Sequence, residues 1–414
     1  MTQRLSLAYK LERFDFSGVA RFLVSHRSNF TVPVSASLYE AYLFSRRKPK
    51  KGTTGTIFQH LLFLYSWAEF DGFDLELNLL SGRGMQLHEI IKFVTWLEDR
   101  YHKGNKLSDG YVAHIIGDCK IFVLWFVKRY VKPIENESLN LTIHKVVVAH
   151  GKAWAECEID VQEDLIAEDI TDEGYEVIET YFKFGFLKLE GLTGSSLRNY
   201  IMWRLAWEFG LRIGEILALR RQDLNLLENP PYISIVRLDE RGESEVDPRS
   251  PYQPKVKTLS RELGFLRADS SLIHLLEKYL TKERTRDFFK NGKNSKTLFL
   301  EHDFVFIVHD GCGKPLSCSA AQKISALAEK YSGEHFNWHL ARHAFFNRRY
   351  SEASTYSDNA HLIDNLIYWG GWKSSESLKR YTRRATRDLA RSGLILLNKK
   401  YDSEGEVRYD HGRK

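Results

Sequence analysis

Apolar positions recur at helical spacing over three stretches in the first third of the chain. From Ile57 to Phe70, the residues Phe58, Leu61, Leu62, Tyr65 and Ala68 share one face, and the pattern stops at Asp71-Gly72. That spacing predicts an amphipathic helix. A second is expected from about Leu87 to Tyr101, with Ile90, Ile91, Val94 and Leu97 on a face. A third, Tyr111 to Tyr130, is apolar almost all round through Ile121-Phe122-Val123-Leu124-Trp125-Phe126-Val127. It reads as the central helix of a compact bundle.

Upstream, residues 1–50 mix short alternating runs such as Phe30-Thr31-Val32-Pro33-Val34 with one helical stretch, Ser37 to Phe44, and read as an N-terminal accessory arm. Gly52-Thr53-Thr54-Gly55 reads as a hinge with Thr caps for the bundle that follows. Pro133 ends the third helix, so the helical domain is expected over 51–133. Residues 134–192 are an insertion or connector: Thr142 to His150 alternates like a strand, and Glu156 to Glu176 is acidic, which argues against this segment lying on DNA. From Ser195 to Leu219 the pattern is helix, glycine turn at Phe209-Gly210-Leu211-Arg212, then helix. Tyr232 to Leu238, Leu263 to Arg267 and Thr297 to Phe299 read as strands, and Ser317 to Lys330 and His339 to Asn398 as mostly helix. The expected fold is mainly α with a small β-sheet, in an α+β second domain over 193–395 followed by a tail over 396–414.

Composition narrows the class. The chain has 414 residues, 43% hydrophobic and 13% aromatic, enough to bury more than one core and unlike a disordered protein. Four cysteines make no disulfide framework, so a reducing cytosol is the expected setting. The first residues, Met1-Thr2-Gln3-Arg4-Leu5-Ser6, lack the apolar core of a signal peptide, and no run approaches the roughly 18 apolar residues of a membrane span. Net charge is +6, and the basic residues cluster. Arg46, Arg47, Lys48, Lys50 and Lys51 form a run broken only by Pro49, and Lys379 to Arg391 carries six basic residues against one acid, Asp388. Both clusters fit an anionic partner such as a nucleic-acid backbone.

The candidate chemistry lies in the second half. Arg212 sits among apolar neighbours in Gly210-Leu211-Arg212-Ile213-Gly214-Glu215-Ile216, so it is expected to be partly buried and to need an anion; Glu215 or Asp223 could supply it internally. Further on come His339-Leu340-Ala341-Arg342-His343, then Trp369-Gly370-Gly371-Trp372, then Tyr381, nine residues after Trp372. His302, His309, Cys312 and Cys318 are ligand types that zinc accepts, but their spacing fits no standard zinc pattern and no metal site is expected.

These three boxes resemble the active-site boxes of the tyrosine recombinases, the phage-integrase family. Gly-Leu-Arg-Ile-Gly-Glu-Ile followed by Leu-Ala-Leu-Arg is similar to the first box, His-x-x-Arg-His is the second, and the Gly-Trp pair with a Tyr nine residues later is the third. Lys257 in Val256-Lys257-Thr258-Leu259-Ser260-Arg261 resembles the lysine that the family carries on a two-stranded turn, with Lys255 as the other candidate. The resemblance covers roughly residues 55–395. It implies a helical core-binding domain joined to a tyrosine-recombinase catalytic domain, together a C-shaped clamp round duplex DNA. The implied catalytic set is Arg212, Lys257, His339, Arg342, Trp372 and Tyr381, with Glu215 in support and His343 as a satisfied structural histidine. The basic run at 46–51 and Arg383 and Arg384 are expected on DNA phosphates.

The chemistry can be argued from the groups themselves. A phosphodiester repels nucleophiles, and its transition state spreads more charge over the non-bridging oxygens. Two guanidinium forks, an imidazole and an indole N–H are suited to that charge. Tyr381 must lose a proton whose ordinary pKa is about 10, helped by its cationic surroundings or by a base such as His339. A mobile ammonium such as Lys257 can protonate the leaving 5′-oxygen. The implied product is a 3′-phosphotyrosine that a 5′-hydroxyl can reverse, without ATP, metal or other cofactor.

The resemblance further implies a site-specific recombinase for a mobile element, acting in the bacterial cytoplasm at the nucleoid. A homo-tetramer on two DNA sites is expected, held in part by Leu389, Leu394, Ile395, Leu396 and Leu397, with an accessory DNA-bending or directionality protein. A type IB topoisomerase or telomere resolvase would use nearly the same residues. A non-catalytic DNA-binding protein that keeps the fold is the alternative of a different class. Ser351 to Asn359 reads as an extra loop between the second and third boxes.

Overall fold

A computed structural model describes residues 7–16, 19–47, 51–99, 101–102, 105–130, 137–159, 169–184, 193–242, 247–249, 253–265, 271–285, 300–309, 313–356 and 360–410. The chain divides into two compact units, Met1–Glu163 and Asp164–Lys414, each with its own core.

The first unit opens with an antiparallel hairpin, β1 (Tyr9–Phe16) and β2 (Val19–His26). Alternation along β2 buries Ala20, Phe22 and Val24, with Arg21 and Leu23 between them only partly buried. Then come α1 (Val34–Arg47), α2 (Lys51–Asp71), α3 (Leu75–Leu80) and α4 (Leu87–Glu98). A two-residue strand pair, β3 (Tyr101–His102) and β4 (Asn105–Lys106), leads to α5 (Asp109–Tyr130) and α6 (Glu137–Glu156). The three helices expected from spacing are α2, α4 and α5.

Three expectations change here. Residues before 51 are not an arm apart from the bundle: Phe22, Val24, Tyr39 and Leu43 belong to the same core as Phe58, Phe93 and Phe122. The glycine–threonine stretch is no hinge but the first turns of α2, and Gly55 is where the Phe22 ring rests, 2.9 Å from where a Cβ would stand. Thr142 to His150 is helix, not strand, because Val147, His150 and Trp154 recur at helical spacing and the last two are buried.

Asp109–Arg129 is also long and apolar enough to cross a membrane by length and composition, against the expectation that no run approaches this. It is the central helix of this core, with Ile115, Ile116, Phe122, Val123 and Phe126 at most 1% exposed.

The second unit begins with α7 (Asp172–Phe184), so the segment expected as a connector is shared between cores: α6 packs in the first unit and α7 in the second. α8 (Gly194–Phe209) is buried along most of its length, and Gly210 turns the chain into α9 (Ile213–Ala218). A three-stranded antiparallel sheet follows, ordered β5 (Leu224–Asn225), β6 (Tyr232–Ile235), β7 (Arg261–Gly264). Its register sets Ile233 opposite both Leu224 and Leu263, and Ile235 opposite Arg261. Thr297 to Phe299, expected as a strand, lies outside the described residues.

The remaining helices are α10 (Ser271–Lys278), α11 (Cys318–Ser332), α12 (Trp338–Ser354), α13 (Ala360–Gly370), α14 (Ser375–Tyr381) and α15 (Arg383–Asp410). α8 and α12 pack together at the centre. Trp203, Phe336 and Trp338 lie between α7, α8 and α12, with Phe182 stacked on Trp203 at 5.6 Å. Of the expected extra loop between the second and third boxes, residues 351–354 continue α12 and 357–359 lie outside the described residues.

Candidate active site

Four turns or helix ends bring the boxes together. Asn337 caps α12, its side chain accepting from the backbone N–H of His339 and Leu340. The i, i+3, i+4 spacing then puts His339, Arg342 and His343 on one face of the helix. Arg212 stands at the N-cap of α9, where its own backbone N–H donates to Glu215 at 2.9 Å. Trp372 follows the end of α13, and Tyr381 closes α14.

Tyr381 is 7% exposed, and its hydroxyl accepts from Arg212 Nη2 at 3.3 Å. Its ring is stacked on Trp372 at 4.9 Å and tilted against His343 at 4.5 Å, with His339 edge-on at 5.4 Å. Arg342 is fully enclosed, its guanidinium carbon 5.0 Å from the Trp372 ring centre and 5.1 Å from that of Tyr381. Its two terminal nitrogens donate to backbone carbonyls, Nη1 to Gly210 and Nη2 to Gly370. Arg212 Nη1 reaches the same Gly370 oxygen at 3.5 Å. Both arginines are therefore held by the chain's own carbonyls as well as by charge.

Glu215 is the anion at the centre. Its two oxygens meet Arg261 Nη1 at 3.3 Å and Nη2 at 3.1 Å, Arg342 Nη1 lies 3.8 Å away, and the Thr258 hydroxyl donates to it at 2.5 Å. Burial alone would raise this carboxyl's pKa, but the Arg261 and Arg342 guanidinium groups and the hydrogen bonds outweigh it and bring it down to about 2. Glu215 is thus ionised at neutral pH. Burial lowers Arg342, opposed by Glu215, to about 10, which leaves it charged. Burial, then Arg342 and Arg212, lower His339, so it is neutral near pH 7. Burial, then His339 and Arg342, lower His343 to about 4.

Three polar atoms aimed into this region are buried without a partner: Trp372 Nε1, Arg342 Nε and His343 Nδ1. His343 was expected as a satisfied structural histidine. Its Nδ1 is not satisfied, because the ring faces Tyr381 and His339 and no acceptor lies beside it.

Arg212, Lys257, Trp372, Lys373, Arg380 and Tyr381 are among the residues lining a cavity of about 390 Å³. Lys257 is exposed there, in the segment that precedes β7, and Lys255 is half-buried two residues back. Arg261 and Thr258 form part of the buried network, though sequence reading gave them no role. The available signal was an arginine at the start of a strand whose inward neighbours are apolar. Gly371 is at φ +62°, and a Cβ there would stand 2.7 Å from Thr258 Cβ and 2.8 Å from Arg261 Nη1. Only glycine fits that approach of the Trp372 turn to the lysine segment.

Other expected residues fall elsewhere. Arg384 pairs with Asp169 at 3.2 Å, and Asn347 donates to the same carboxylate, so this arginine is tied to the protein rather than free for a phosphate. Lys48 and Lys50 lie outside the described residues, as do the side chains of Arg46, Arg47 and Lys51. Leu394, Ile395, Leu396 and Leu397 are exposed on α15. His302 Nε2 meets Gly313 O at 2.9 Å, His309 Nε2 meets the Tyr279 hydroxyl at 3.2 Å, and Cys312 lies outside the described residues.

A mainly helical unit with a small sheet, carrying these boxes in this order, is an integrase-type domain. Residues 189–387 match the model of the phage integrase family. Three curated relatives, each described as transposase A from transposon Tn554 of Staphylococcus aureus, two of them from strains Mu50 and N315, are 27% identical over 148 residues, 35% of this chain. The match spans 34% of their length. Among solved structures, XerH site-specific recombinase bound to palindromic difH substrate in a post-cleavage complex gives a TM-score of 0.41 at 15% identity, over 81% of this chain and 84% of that one. The integrase from mycobacterium phage Brujita gives 0.30 at 11% identity, over 84% and 91%.

Proposed function

We propose that the second unit breaks and rejoins DNA at specific sites, with Tyr381 as the nucleophile that forms a 3′-phosphotyrosine. The observation that carries this is the placing of the Tyr381 hydroxyl 3.3 Å from Arg212 Nη2, beside a cavity edged by Lys257 and Arg380. A phosphate in that cavity would meet Arg212, and would gain the unpartnered N–H groups of Trp372 and Arg342 once the ring stack shifts. Neutral His339 is a base for the phenol proton, and Lys257 is the acid for the leaving 5′-oxygen. Glu215 holds Arg342 in place, and no ATP or metal enters the scheme.

In this reading the DNA is double-stranded and the first unit, with the basic run at 46–51, contributes binding. Integration or excision of a mobile element is the role that the likeness to transposase A of Tn554 favours. The exposed leucine and isoleucine face of α15 would pack on a second copy in a tetramer on two sites. A DNA-bending or directionality protein would set the outcome, and the work would be done in the bacterial cytoplasm at the nucleoid.

The test is a nicked duplex, cut from the DNA that flanks the coding sequence, incubated with wild type and with Tyr381→Phe. Wild type is expected to give a DNA adduct that survives SDS and Tyr381→Phe none. An adduct from Tyr381→Phe, or none from wild type, would sink the assignment.

A further inference from the structure

We propose that Arg261 is a positioning residue for Lys257, fixing the lysine segment against the turn that carries Trp372. The inference rests on the strand-cleavage reading above. Arg261 touches no substrate, since its side chain is wholly enclosed. Every nitrogen is committed: Nε donates to Trp369 O at 2.7 Å, Nη1 to Glu215, Thr258 and Leu259 O, and Nη2 to Glu215. It therefore joins the acid of the first box, the two residues that follow Lys257, and the backbone three residues before Trp372.

Lys257 needs such an anchor. A lysine is a point charge on a flexible stem, so its reach is set by the backbone below it. On one side of Lys257 the Lys255 carbonyl lies where a Cβ on Gly214 would come within 2.6 Å, so the chain is pressed on α9. On the other side Thr258 is buried on Glu215 and Arg261, and the Leu259 N–H donates to Gly371 O at 3.0 Å. Between these pins Lys257 is exposed to the cavity that Tyr381 and Trp372 also line. The Arg261 fork ties Thr258 and Leu259 to Glu215 and to the Trp369 carbonyl, and lysine at 261 would keep the charge but not the fork.

In the step affected, Tyr381 Oη bonds to phosphorus, the bond from phosphorus to O5′ breaks, and a proton passes from Lys257 Nζ to O5′. The phenol proton goes to His339. If sulfur replaces that bridging oxygen, a thiolate leaves without a proton, because thiols are far stronger acids than alcohols. A defect confined to Lys257 should then disappear.

Single-turnover cleavage would be measured on the nicked flanking duplex with bridging oxygen and with bridging sulfur, for wild type, Lys257→Ala, Arg261→Lys and the double variant. Arg261→Lys is expected to be about 10²-fold slower on oxygen, within the range of general acid catalysis, and within a few-fold of wild type on sulfur. The double variant should be no slower than Lys257→Ala. An Arg261→Lys defect of equal size on both duplexes, or one that adds to that of Lys257→Ala, overturns the inference. Wild type cleaving neither duplex instead overturns the cleavage reading beneath it. Should Arg261→Lys melt below the assay temperature, Thr258→Val removes one hydroxyl from the same bridge. Sulfur should rescue it likewise, and a loss that sulfur leaves in place counts against the role.

Discussion

The indole of Trp372 lies 4.9 Å from the phenol ring of Tyr381, with 28° between their planes. The contact lies within the third box, between its tryptophan and the residue proposed to react, and it leaves the indole N–H buried with no acceptor. Stack and donor can be separated by substitution. Trp372→Phe should keep folding within about 1 kcal/mol of wild type, since little apolar contact is lost and an unpaired donor goes with it. Trp372→Ala should lose about 3–5 kcal/mol. If the N–H serves the transition state, Trp372→Phe should still cleave roughly 10²-fold more slowly. Thermal melts and single-turnover rates on the two variants decide whether the ring or its N–H matters.

Arg342 bridges Gly210 O and Gly370 O with its two terminal nitrogens. A lysine has one terminal nitrogen and cannot hold that bidentate geometry. Arg342→Lys is expected to cost about 2–4 kcal/mol of stability through an unpaired buried carbonyl and a displaced charge, and to abolish adduct formation. Retained adduct with a lowered melting temperature would confine Arg342 to a structural role.

Glu215, itself buried, faces three guanidinium groups, those of Arg261, Arg212 and Arg342. Glu215→Gln keeps the shape and removes the charge, leaving Arg261 and Arg342 uncompensated. A loss of about 3–5 kcal/mol is expected, whereas removing the charge of Glu376 from the solvent-exposed Lys379–Glu376 pair should leave stability nearly unchanged. Chemical denaturation of Glu215→Gln beside Glu376→Gln measures the contrast.

His343, held down to about 4 by burial and its cationic neighbours, sets a pH window. Its ordinary value is 6.5, so between pH 6.5 and 4 the unfolded chain takes up a proton that the folded one refuses. Stability therefore falls with pH across that window, by about 2 kcal/mol at pH 5. His343→Asn should flatten this part of the stability profile while leaving the loss near pH 4.5 to 2, where Glu215 titrates, in place. An unchanged slope between pH 6.5 and 5 would show that another group is responsible.

Much of the site was legible because its boxes are short strings whose spacing is set by local geometry. His339, Arg342 and His343 share a face through helical periodicity alone, and Arg212 next to a glycine turn marks a helix start. Arg261 carried no such mark, since two of its partners, Glu215 and Trp369, lie 46 and 108 residues away in sequence and only the fold brings them near. The first unit shows the same division. The bundle helices were read from their period, while the β1–β2 hairpin was missed because only Ala20, Phe22 and Val24 show a clean alternation. α6 was mistaken for a strand because nine residues are too few to tell a period of two from one of 3.6 when polar residues interrupt the apolar face.

Gly370 offers one carbonyl oxygen to both Arg212 and Arg342. Two cations from boxes 130 residues apart in the chain thus share one acceptor atom. A Cβ at that residue would fall 2.3 Å from the Trp372 ring, so the position is closed to every other side chain. A displacement of this turn therefore reaches both arginines at once.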